Sequence, residues 1–68
     1  MKTLDEKANS LISTSVQDAE ITMSSMLENN PYEAKQVAEI MLNRLEGAEG
    51  QKTRIALVKR IIRKANKH

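Results

Sequence analysis

The chain has no cysteine, tryptophan or phenylalanine, one tyrosine, one histidine, one proline and two glycines. Without cysteine it can form no disulfide, and the composition fits a reducing compartment. Its one histidine is the terminal His68, so a zinc site built on cysteine and histidine cannot be assembled. The only aromatic, Tyr32, argues against the stacking platforms that single-stranded nucleic acids require. No stretch approaches the roughly 20 apolar residues of a membrane span. The opening segment MKTLDEKANS turns acidic and polar after one lysine, which leaves no apolar core of a signal peptide. A soluble cytoplasmic protein without a membrane partner is expected.

At 68 residues the chain is expected to form one domain, over 1–68. A fold of that size buries only about 60% of the surface its unfolded chain exposes. With disulfides and a Cys/His metal site excluded, helix packing or oligomerisation has to supply the stability.

Charge is plentiful and unevenly placed. Residues 1–50 hold nine acids against four bases, a net of −5, whereas residues 51–68 hold seven bases and no acid. The small formal total of +2 therefore hides a split that suits either a polyanionic partner or two complementary faces within one fold.

Helical periodicity covers almost all of the sequence, and no segment alternates like a strand. Thr3 and Glu6 form a capping pattern for a first helix over approximately 4–28. Its apolar face includes Leu4, Ala8, Leu11, Ile12, Val16, Ala19, Met23, Met26 and Leu27. Ser13-Thr14-Ser15 is its weak point, because hydroxyls there compete for backbone hydrogen bonds and invite a bend or break. Ile21 lies off the apolar stripe, as a lone exposed aliphatic or a contact to a second chain.

Asn30-Pro31 with Glu33 is a second start signal, for a helix over approximately 31–46 with Ala34, Val37, Ala38, Met41, Leu42 and Leu45 on one face. Gly47 suits a helix C-cap. A third helix is expected over approximately 51–66, with Ile55, Leu57, Val58, Ile61, Ile62 and Ala65 inward and Lys52, Lys59, Arg60, Arg63, Lys64 and Lys67 outward. The fold class that follows is all-α, three amphipathic helices in a small antiparallel bundle. A first helix of about 25 residues would be near 37 Å long and overhang its shorter partners. Its uncovered arc, which includes Met23 and Met26, predicts a symmetric homodimer.

Chemistry of the catalytic kind finds few carriers. Glu46 and Glu49 lie in a polar turn, where solvation keeps carboxylates ordinary. Neither a calcium loop nor a phosphate loop is present, and Gly47-Ala48-Glu49-Gly50 is too short and lacks the lysine. No enzymatic activity, cofactor, metal or small-molecule substrate is expected. A helix-turn-helix is disfavoured too, because no large apolar residue falls between Leu45 and Ile55.

The candidate site is the basic face of the third helix: Lys52, Lys59, Arg60, Arg63, Lys64 and Lys67. It supports a small helical interaction or regulatory protein that modulates a larger macromolecular partner, with a protein partner expected. The alternative is a DNA-binding regulator that uses the same cations on the phosphate backbone. A second alternative sets those cations against the acids of the first two helices as internal counter-charge. In size and texture the chain resembles the small accessory regulators carried by bacteriophages and mobile elements, a likeness of scale that no motif carries.

Overall fold

Three of the helices start where a side-chain oxygen accepts a hydrogen bond from the third helical amide, and these caps set the architecture. The computed structural model describes residues 3–67. Thr3 Oγ1 accepts from Glu6 N at 3.2 Å and opens α1, Leu4–Ser13. Ser15 Oγ accepts from Asp18 N at 3.1 Å and opens α2, Val16–Asn29. Asn30 Oδ1 accepts from Glu33 N at 3.2 Å and opens α3, Pro31–Leu45. The fourth helix, α4, spans Lys52–Asn66 and has no side-chain cap.

The expected first helix is therefore two helices, and among the described residues the bundle has four helices rather than three. The physical cause lies in Ser13-Thr14-Ser15. Thr14 and Ser15 are extended, with ψ of 173° and 155°; Thr14 N–H closes α1 on Ser10 O, and Ser15 immediately recaps the chain as α2. A hydroxyl bond to the backbone replaces the helical ladder at the residues with the least propensity to hold it.

The second boundary is tighter. Asn30 alone ends α2, donating its N–H to Met26 O at 2.7 Å, and starts α3 through its side chain. Pro31 at the first helical position loses no hydrogen bond there. Between α3 and α4, Gly47 and Gly50 take φ of +80° and +76°, which turns the chain back after Leu45.

α3 is the central element and packs against each of the other three, most extensively against α4. Ala34, Val37, Ala38, Met41 and Leu45 are all buried on it. Its two alanines let neighbouring helices approach closely. Around this row gather Ala8 and Leu11 of α1, Ala19, Met23 and Leu27 of α2, and Leu57, Val58, Ile61 and Ala65 of α4. The Cα radius of gyration, 10.7 Å, is what a folded chain of this length should have, about 11 Å.

The break also removes the overhang on which the dimer expectation was based. Met23 is fully buried within a single chain and Met26 is half-buried, so the arc is largely covered by the protein's own helices. Ile21 remains 63% exposed on α2. Among the described residues no helix is long and apolar enough to cross a membrane.

Candidate functional site

α4 is amphipathic in an unusual way, since one side faces the core and the other carries only cations and small polar or apolar residues. At about 100° per residue, Arg54, Leu57, Val58, Ile61 and Ala65 occupy one arc of roughly 100°. All five are buried. Lys52, Ala56, Lys59, Arg63 and Lys67 fall within about 80° on the opposite side, and all five are exposed. These five side chains form a ridge that runs the length of the helix, about 22 Å from Lys52 to Lys67 at 1.5 Å per residue. The ridge points away from α3 because the core arc points towards it.

The six cations singled out from the sequence are thus all on the surface, but they are not equivalent. Arg60 lies on the flank towards α2, where Nη2 donates to Glu20 Oε2 at 3.1 Å. That pair borders a shallow groove between α2 and α4, lined by Val16, Glu20, Thr53, Ala56, Leu57 and Arg60. Lys64 lies between the ridge and the core arc. Among the described residues, Lys52, Lys59, Arg63, Lys64 and Lys67 have no carboxylate within 4.0 Å. Internal neutralisation therefore engages Arg60 and leaves the other five facing water.

Apart from Glu20, the acids expected to meet this helix are paired elsewhere or have no cation of α4 within 4.0 Å among the described residues. Asp5 takes Arg44 Nη2 at 2.9 Å, and Glu33 pairs with Lys7. Arg44 also donates to Asn9 Oδ1 and to the Asp5 carbonyl. Glu33 stands at the start of α3 and Arg44 at its end, while Asp5 and Asn9 lie on one flank of α1 and Lys7 on the other. α1 is consequently strapped across α3 by a polar contact on each side.

The seventh cation of this segment belongs to the inward arc rather than to the outward ridge. Arg54 is only 9% exposed and points inward. Its Nη1 donates to Leu11 O at 2.7 Å, and its Nε donates to Gln51 Oε1 at 3.3 Å. Its signal in the sequence is its spacing with Leu57, Val58, Ile61 and Ala65, which puts a cation in the middle of an apolar arc.

A second concavity lies among α1, α2 and the start of α3, lined by Lys7, Ser10, Leu11, Thr14, Thr22, Met26 and Glu33. Its one cation and one carboxylate are paired with each other. Among the described residues, no three His, Cys, Asp or Glu side chains gather closely enough to hold a metal ion.

No family model matches the chain, and no curated protein or solved structure shows significant similarity to it. The reading of the site therefore comes from its geometry.

Proposed function

We propose that this chain is a small non-enzymatic interaction module that docks on a larger macromolecular partner through the outward ridge of α4, and so regulates that partner. One observation carries the reading. Lys52, Lys59, Arg63 and Lys67 project from one side of a rigid helix, opposite the core, with no carboxylate of the described chain near them. A helix needs only a cation or two in its last turn to complement its dipole. Four in a row from the first turn to the C-cap exceed that requirement and repel one another unless a polyanion or counterions neutralise them.

Docking needs no second copy of the chain, since the core closes on itself. If self-association accompanies function, Ile21 is the large aliphatic on α2 left for a second copy to cover.

The test is affinity capture with the tagged full chain and a Lys52→Gln, Lys59→Gln, Arg63→Gln, Lys67→Gln variant, in lysate at low and moderate salt, with and without nuclease. The reading expects a macromolecule retained by the native chain and lost with the variant. Equal recovery by both proteins, with the variant's helical circular dichroism intact, would overturn it.

A further inference from the structure

The ridge of α4 is chemically selective in a way that its net charge alone does not express, and resting on the interaction reading above, we propose that its partner is double-stranded DNA, gripped through the phosphate backbone with α4 lying along the major groove.

Protein interfaces are organised around buried aromatic or aliphatic anchors, and lysine is depleted from their cores. No such anchor exists here. Among the described residues the exposed large hydrophobics are Ile21 and Tyr32, on α2 and α3, whereas Ile55 and Ile62 of α4 are half-buried against the core. Between its cations the ridge offers only Ala56. A surface with charge and no apolar anchor matches a partner that presents regularly spaced anions, as a nucleic-acid backbone does.

Shape narrows the choice further. α4 is a continuous helix of 15 residues whose outer side is exposed from Lys52 to Lys67. The major groove of B-form DNA, about 12 Å wide, admits an α-helix, while the deep and narrow major groove of A-form RNA does not. Single strands are held by stacking on aromatic rings, and α4 has none. Ala56, the small residue on the ridge, lets the N-terminal half of the helix approach the groove closely. Arg63 lies in the densest part of the ridge, where its planar fork can take a phosphate through two hydrogen bonds. Lys52, Lys59 and Lys67 are point charges suited to phosphates. Arg60 adds no net charge to the ridge, because the Glu20 carboxylate beside it offsets its own.

The experiment is fluorescence anisotropy of the full chain with a 24-base-pair duplex DNA, duplex RNA of the same sequence, the single strand and poly-glutamate, each titrated across salt. Four phosphate contacts give a slope of log K against log salt of about −3.6, or roughly a hundred-fold loss between 50 and 200 mM. Lys52→Gln, Lys59→Gln, Arg63→Gln and Lys67→Gln each reduce the slope by about one contact. Arg60→Gln leaves it unchanged.

Equal or tighter binding to duplex RNA, single strand or poly-glutamate overturns the assignment, as does an Arg60→Gln variant that loses as much slope as Arg63→Gln. Absence of duplex binding alongside nuclease-resistant, ridge-dependent capture from lysate overturns the DNA assignment and leaves the interaction reading standing. Absence of both ends both.

Discussion

The Arg54 guanidinium donates to the Leu11 carbonyl at 2.7 Å, a buried bond that joins α4 to α1 across 43 residues of sequence. It answers a deficit created by the helix break. Because Ser15 is extended, its N–H does not reach back to Leu11 O, which becomes one of the orphan carbonyls at the end of α1. A cation at a helix C-terminus complements the dipole as well as the hydrogen bond. The break and the buried arginine are thus two halves of one arrangement.

Replacing Arg54 with methionine keeps the aliphatic stem and removes the donor, leaving a buried carbonyl unpaired. The expected cost is about 1.5–3 kcal/mol, the usual range for a bond to a charged group. Urea unfolding should show a lower midpoint with an unchanged slope. Arg54→Lys should fall between the two, since an ammonium retains the charge without the fork that serves Gln51 and Leu11 together. An unaltered midpoint for Arg54→Met would mean that water satisfies Leu11.

The serines of the break should separate cleanly. Ser15→Ala removes the Asp18 cap and should cost about 1 kcal/mol. Ser13 is exposed at the end of α1 and makes no side-chain hydrogen bond among those of the described residues, so Ser13→Ala should stay within about 0.5 kcal/mol. Equal effects in thermal melts would show that general helix propensity, rather than the cap, sets the boundary.

Most of the fold was written in local signals. Asn30-Pro31 with Glu33, Thr3 with Glu6, and Gly47 placed three of the boundaries because each acts within four residues on its own backbone. The break was half legible: the hydroxyl cluster marked it, but Ser15-x-x-Asp18 is itself a capping pattern, and treating Val16 to Leu27 as a continuation of the first apolar stripe hid it. The spacing of Arg54 places it on the apolar arc, but what it bonds there was opaque for a different reason. Its partner is a carbonyl freed by tertiary geometry, and no residue-type pattern records a backbone acceptor. The outward cations were legible as a set, while the withdrawal of Arg60 by Glu20 depended on how α2 lies against α4.

Core substitutions should concentrate their effect on α3. Met41 and Val37 are fully buried between the other helices, so Met41→Ala should cost about 2–5 kcal/mol and leave so small a domain largely unfolded near 37 °C. Ile21→Ala, at a residue 63% exposed, should change stability by less than about 0.5 kcal/mol. A large loss at Ile21 would instead place that side chain in an interface between copies.

The same point decides self-association. With the core closed inside one chain, the melting temperature should be independent of concentration over a hundred-fold range, and sedimentation equilibrium should return the 7.7 kDa monomer. A melting temperature that climbs with concentration would demonstrate the homodimer, and its loss on Ile21→Ala would locate the contact on α2.

Glu20 and Arg60 connect the fold to the proposed surface. Their side chains are both about half exposed, so the pair contributes between zero and about 1 kcal/mol to stability. Glu20→Gln should therefore leave the protein folded with almost the same denaturation midpoint. It also releases Arg60, which lies beside the ridge on the flank towards α2, and removes a negative charge from the edge of the groove. The variant should bind duplex DNA more tightly at 50 mM salt than the native chain and show a slope steeper by about one phosphate contact. Adding Arg60→Gln to Glu20→Gln should return the slope to its native value, because the gain comes from the freed guanidinium. If the double variant keeps the steeper slope, the missing carboxylate is responsible rather than Arg60, and Glu20 acts by repelling the backbone instead of by holding the arginine away from it.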